Sequence, residues 1–104
     1  MQDGEVFAAL ADPTRRDVLQ LLADRGQASA TTLAADLPVS RVAVVKHLGV
    51  LDKAGLVARR EAGREVRYEV RPERLELAAR RLVEVAAAWD ARLAAIKRIA
   101  EEER

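Results

Sequence analysis

The stretch Val39–Val57, VSRVAVVKHLGVLDKAGLV, decides how the rest of the chain is read. Pro38 disfavours helix at the residue before it, and the Ser40 hydroxyl is suited to cap the free N–H groups of a helix starting at about Arg41. Ala54-Gly55 supplies the stop, because glycine tolerates the left-handed conformation that closes a helix. Lys53 puts a cation in the last turn, where the helix dipole favours one. Turning at about 100° per residue, residues 41–54 place Val44, Leu48 and Leu51 on one face and Val42, Val45, Lys46, Gly49 and Lys53 on the other. The first face is built for burial. The second has no carboxylate among its five residues, whereas a merely solvated face favours Glu–Lys pairs four residues apart. Gly49 costs about 1 kcal/mol of helix propensity relative to Ala, which leaves two readings: a tolerated weak spot, or a place where a partner comes close.

Composition sets the bounds. At 104 residues the chain has room for one domain spanning 1–104, small enough for a subunit interface to add much of its stability. Half of the residues are hydrophobic but only 3% are aromatic, so the expected core is aliphatic and helical. No apolar run approaches the roughly 20 residues that span a bilayer. The N-terminal MQDGEVFAAL lacks a basic segment followed by a longer apolar one. A cytoplasmic protein with no membrane partner is the expectation. The absence of cysteine removes disulfides, thiolate metal sites and cysteine nucleophiles together. The net charge of +1 is unevenly spread: residues 1–40 carry three basic and six acidic side chains, net −3, residues 41–71 carry eight and four, net +4, and residues 72–104 carry seven of each. The positive charge is gathered where a polyanion would be met.

Taken outward from the centre, the rest of the chain supports that segment. Glu5–Leu10 reads as a short helix with Val6, Phe7 and Leu10 on its apolar side, and Asp12-Pro13 caps and opens a second helix to about Asp24. Val18, Leu19 and Leu22 form the stripe of that helix, with Leu21 at its margin. Ser29 caps a third helix, about Ala30–Leu37, and Leu37-Pro38-Val39 is the turn into the central one. Two helices joined in this way, the second basic and bare on its outer face, form a helix-turn-helix over about 30–54. Beyond Gly55 the period becomes two. Leu56–Glu61 and Val66–Val70 are expected as two strands of a hairpin wing, over about 56–70, around the turn Ala62-Gly63-Arg64-Glu65. Pro72 opens a terminal helix to about Glu101, roughly 40 Å long. Its stripe of Leu75, Ala78, Leu82, Val85, Ala86, Trp89, Leu93, Ile96 and Ile99 keeps a three-four spacing. A domain of this size cannot bury that stripe alone. It is expected to pair with the same helix of a second copy, Phe7, Leu82, Val85, Trp89, Leu93 and Ile96 lying at the interface, the alternative being a helix folded back on its own domain. The fold class is mainly α (α+β): a winged helix-turn-helix with a two-stranded wing and terminal dimerisation helices.

The chemistry of the central face suits duplex DNA. Base readout needs donors and apolar groups that reach groove edges, and phosphate anchoring needs cations around them. The candidates are Ser40, Arg41, Val42, Val45, Lys46, His47 and Gly49 on or beside the helix, with Arg59, Arg64 and Arg67 on the wing. Arg41 and Lys46 are suited to guanine or phosphate, Val42 and Val45 to thymine methyls. Each cation taken singly is equally consistent with plain solvation; their clustering favours a shared partner. His47, the one histidine, reads first as a hydrogen-bonded structural residue, then as a phosphate contact, and last as a metal ligand, having no second His or Cys to join it. Asp36, Glu84 and Asp90 are too scattered to define a metal site, and no cofactor is implied. Both serines are accounted for as caps, no Gly-rich phosphate loop is present, and catalysis has no support. The rival reading is a dimeric module that binds a protein.

Several segments carry a family likeness: Phe7-x-x-Leu10-Ala11-Asp12-Pro13-Thr14-Arg15-Arg16; Leu33-Ala34 through Pro38-Val39-Ser40; Val44-x-Lys46-His47-Leu48-x-x-Leu51-x-x-Ala54-Gly55-Leu56-Val57; and Gly63-Arg64-x-x-x-Tyr68. Through them the chain resembles the ArsR-type winged helix-turn-helix transcriptional repressors over nearly its whole length. The resemblance implies a cytoplasmic bacterial homodimer on an inverted-repeat operator, the helix from Arg41 in the major groove and the Gly63 wing along the backbone. Metal-sensing members use Cys or His clusters that this chain lacks. It is similar to the non-metal branch with the Asp12–Arg16 signature and a tryptophan in the last helix, here Trp89-Asp90-x-Arg92-Leu93, and no small-molecule inducer is indicated. Val42 and Val45 stand where many relatives carry polar residues, which shifts weight onto shape and wing contacts.

Overall fold

Five consecutive residues, Asp12-Pro13-Thr14-Arg15-Arg16, build the first corner of the molecule by finishing one helix and starting the next. In the computed structural model, which describes residues 3–102, α1 runs Asp3–Leu10 and α2 runs Pro13–Arg25. The outer ends of the 1–104 domain, Met1, Gln2, Glu103 and Arg104, lie outside the described residues. The Asp12 carboxylate accepts from the Arg15 backbone N–H at 3.0 Å, capping α2. Back across the corner, Arg15 Nε donates to the Ala9 carbonyl at 2.7 Å and an Arg16 guanidinium nitrogen to the Leu10 carbonyl at 2.6 Å. Those carbonyls have no partner inside α1, so one turn of sequence satisfies both helix ends. The Arg15 N–H is the main cause that holds the Asp12 carboxyl below its ordinary value, with the Arg15 charge and the His47 ring adding to it. Val6 and Ala9 face inward, while Phe7, which spacing groups with Val6 and Leu10, lies at the surface.

After α2, Gly26 takes φ +83° and its N–H bonds the Leu22 carbonyl at 2.9 Å, closing the helix. Gln27–Ser29 then form a strand, β1, which the sequence reading left out. Ser29 caps α3, Ala30–Ala35, by accepting from the Thr32 N–H at 3.2 Å. Helix α3 stops short of the expected Leu37. Asp36 and Leu37 bond back only three residues, to Leu33 and Ala34, and Pro38 excludes helix at Leu37, so the last turn tightens and ends.

Helix α4 spans Arg41–Lys53 between two defined ends. Ser40 Oγ accepts from the Ala43 N–H at 3.1 Å. At the far end the Leu56 N–H bonds Leu51 O and the Gly55 N–H bonds Asp52 O, both at 2.9 Å, with Gly55 at φ +78°. This pair of bonds is a Schellman closure, and its two apolar members, Leu51 and Leu56, are fully buried. Val44 and Leu48 are buried with them, so the predicted inward stripe is the observed one.

Strands β2, Val57–Ala62, and β3, Glu65–Val70, pair antiparallel through Ala62↔Glu65, leaving only Gly63-Arg64 in the turn rather than four residues. Gly63 at φ +64° occupies the first central position, where such two-residue turns need glycine. The expected two-stranded hairpin wing is present as β2 and β3, and β1 extends it to a three-stranded sheet in the order β1-β3-β2; Ala28 sits opposite Tyr68 and both are buried. Helix α5, Pro72–Glu102, packs its first turns against α1, with Ala78 buried and Leu75 half-buried. It does not fold back. The molecule measures 71 × 26 × 22 Å, and Leu82, Val85, Trp89, Leu93, Ile96 and Ile99 are 47–61% exposed.

Two glycines give opposite stability predictions. Gly55→Ala forces an L residue to φ +78° and puts its Cβ 2.6 Å from Arg74 Nε, so it should destabilise the protein by about 1–2 kcal/mol. A Cβ on Gly49 meets nothing within 4 Å, and Gly49→Ala should stabilise by about 0.5–1 kcal/mol. Urea unfolding midpoints of the two variants test both. Because the folded Asp12 carboxyl lies below its unfolded value, its capping contribution is present above pH of about 4 and is lost as pH falls through the folded value. Asp12→Ala should therefore lower the thermal midpoint at pH 7, by a margin that shrinks as pH falls below about 4 and through the folded value.

Candidate nucleic-acid interface

Burial of Val44, Leu48 and Leu51 turns the opposite side of α4 outward. Val42 is 65% and Val45 40% exposed, large values for valine, and Lys46 and Gly49 lie on the surface beside them. The single carboxylate of α4, Asp52, sits in its last turn, away from Arg41. Arg41 reaches toward the preceding helix: its Nε donates to Thr31 Oγ1 at 3.0 Å. Sequence reading did not single out Thr31. The only cue was a hydroxyl residue in the first turn of α3, and the partner lies ten residues away across a turn.

The strand register sorts the wing arginines. Arg59 is opposite the buried Tyr68, and Arg60 is opposite Arg67, so alternation puts these two pairs on different faces of the sheet. Arg59 and Arg64 join Arg41, Thr31, Val45 and Tyr68 around one cavity of about 330 Å³ between α4, the start of α3 and the wing. On the other face, Arg60 pairs with Glu69 at 3.1 Å and Arg67 with Glu65 at 3.2 Å. Arg67 is not among the residues that line that cavity, although its partner Glu65 is, while Arg41, Val45, Arg59 and Arg64 are brought together there.

The remaining candidates fall in two places. Ser40 is committed to its cap. His47 is half-buried, with Nδ1 3.4 Å from an Arg15 guanidinium nitrogen, so it joins α4 to the α1–α2 corner. Phe7, Leu82, Val85, Trp89, Leu93 and Ile96 are all at the surface, and the Arg92 guanidinium lies 5.2 Å from the centre of the Trp89 ring. Among the described residues no three His, Asp or Glu side chains gather as a group that could hold a metal, and no helix is long and apolar enough to cross a membrane.

Comparison with known proteins fits this architecture. A family model described as a helix-turn-helix domain matches residues 10–60. The HTH-type transcriptional regulator Rv2034 of Mycobacterium tuberculosis is 48% identical over 66 residues, a stretch covering 64% of this chain and 61% of that regulator's length. An ArsR-like transcriptional regulator from Rhodococcus sp. RHA1 superposes with a TM-score of 0.82 at 48% identity, covering 95% of this chain and 92% of that one. The homodimeric winged helix-turn-helix DNA-binding domain of Mb0332 from Mycobacterium bovis superposes with a TM-score of 0.67 at 30% identity, covering 84% of this chain and 79% of that one. With the α4 and wing geometry in agreement, the chain belongs to the ArsR family of winged helix-turn-helix transcriptional regulators.

Proposed function

We propose that this chain is a cytoplasmic, non-enzymatic, homodimeric repressor that binds a specific inverted-repeat DNA operator and acts by occluding it. The observation that carries the reading is the convergence of Arg41, Arg59 and Arg64 on the opening beside the exposed valines of α4. In this reading α4 lies in the major groove, with Arg41, Lys46, Val42 and Val45 toward the bases and adjoining phosphates, while Arg59 and Arg64 follow the backbone. Arg67, paired with Glu65 and absent from the cavity lining, contributes less than the sequence suggested. Close approach of the duplex gives Gly49 its use, since a side chain there would stand between helix and groove. The homodimeric neighbour from Mycobacterium bovis supports the pairing of two copies, here through Phe7 of α1 and the exposed stripe of α5.

DNA binding should weaken by a hundredfold or more between 50 and 200 mM salt as phosphate counterions are released. A flat salt response, or no retention of DNA, would instead favour a protein-binding module. At fixed salt, Lys46→Ala and Arg64→Ala should each weaken binding roughly tenfold and lessen the salt slope without unfolding the protein, as measured by fluorescence anisotropy. Trp89→Ala should raise the dimer dissociation constant by roughly a hundredfold, and sedimentation velocity across a dilution series measures this.

A further inference from the structure

Few side chains on the outward face of α4 can donate a hydrogen bond to a base. Val42, Val45 and Gly49 have no side-chain donor, and His47 is turned to Arg15. Arg41 and Lys46 remain in the first two turns and Lys53 in the last, and they differ in how they are held. Arg41 Nε donates to Thr31 Oγ1 at 3.0 Å, and among the described residues no carboxylate pairs with Arg41. Thr31 itself stands on a fixed turn. Next to it, Ser29 Oγ accepts from the Thr32 N–H at 3.2 Å and donates to Thr32 Oγ1 at 3.0 Å, and the Ser29 backbone is paired with Arg67 in the sheet. A neutral hydroxyl on Nε orients the guanidinium plane without cancelling its charge. It also takes up one edge of the group and leaves the two terminal nitrogens as parallel donors, on a side chain that lines the opening shared with Val45, Arg59, Arg64 and the Glu65 carboxylate. Two parallel N–H donors match the O6 and N7 acceptors of guanine in the major groove, and a side chain already fixed loses less freedom on binding. A phosphate accepts the same fork but carries no base identity, so base preference at one position is the readout that separates the two.

We infer that Thr31 is a positioning residue: it holds Arg41 by its Nε so that the two terminal nitrogens of Arg41 read one guanine in each half-site. The inference deepens the DNA-binding reading above and rests on it. Selection from a random duplex library, run in parallel with the parent, Thr31→Val, Thr31→Ala, Thr31→Ser and Arg41→Lys, gives the base preference of each at every position. Circular dichroism identifies the folded variants, and Thr31→Ala, which raises helix propensity, provides a second test should Thr31→Val fold poorly. The parent should prefer guanine at one symmetry-related pair of positions by roughly tenfold or more over the other bases. Arg41→Lys should flatten that preference. Thr31→Val and Thr31→Ala should reduce it to two- to threefold while leaving the other positions and the salt slope as in the parent, and Thr31→Ser should restore it. Parental guanine preference in a folded Thr31→Val or Thr31→Ala protein, or in Arg41→Lys, overturns the inference while leaving the DNA-binding reading intact. A parent that enriches no sequence overturns the reading and the inference with it.

Discussion

Val44, Leu48 and Leu51 are completely buried, and their burial fixes the rotation of α4 about its own axis. A helix that must seat those three side chains has no choice about which residues it shows outside, so the exposure of Arg41, Val42, Val45, Lys46 and Gly49 follows from packing. The ends of α4 are held as firmly as its middle. Ser40 closes the start, and the Gly55–Leu56 closure sets the finish while burying Leu56 beside the same core. Two arginines add side ties. Arg15 stands between the last carbonyls of α1 and His47 of α4, and an Arg74 guanidinium nitrogen from the start of α5 donates to the Ala54 carbonyl at 3.2 Å. Helix α4 is therefore anchored to both elements proposed to form the dimer.

That anchoring gives the long α5 its part in the account. Its first turns pack against α1 in the same molecule, and beyond Ala78 its apolar side chains stand in the open along one stripe. Six large hydrophobic residues in a row on the outer part of this helix form a surface that water penalises heavily, and a second copy related by a two-fold axis would supply a matching one. In such a pairing the separation of the two α4 helices is set by the ties through Arg15 and Arg74. Half-site spacing then becomes a property of the core and not of the groove-facing side chains.

Where local chemistry decides the structure, the sequence was readable. The caps at Asp12, Ser29 and Ser40, the glycine stops at Gly26 and Gly55, and the inward stripe of α4 each depend on residues within a turn of one another. Strand β1 was not readable because Gln27-Ala28-Ser29 is short and poor in β-formers; it exists because β3, some forty residues later, offers a free edge. The early end of α3 reflects Pro38 acting on the turn before it, an effect whose reach is hard to fix from sequence alone. In the site, the outward face of α4 was legible from period alone. The division of the wing arginines was not, since it depends on the register that sets Arg59 opposite Tyr68 and Arg67 opposite Arg60. The Thr31–Arg41 contact likewise exists only once α3 and α4 are placed side by side.

The proposed interface concentrates positive charge with little hydrogen-bonding variety, so in the proposed complex specificity would depend on a small number of fixed donors and on how well the duplex fits two copies at once. Hydroxyl-radical footprinting on the selected operator tests that claim most directly. The account predicts two protected patches on one face of the duplex, related by two-fold symmetry and centred about one helical turn, 10–10.5 base pairs, or a multiple of it apart. A single unpaired patch, or protection without symmetry, would contradict it.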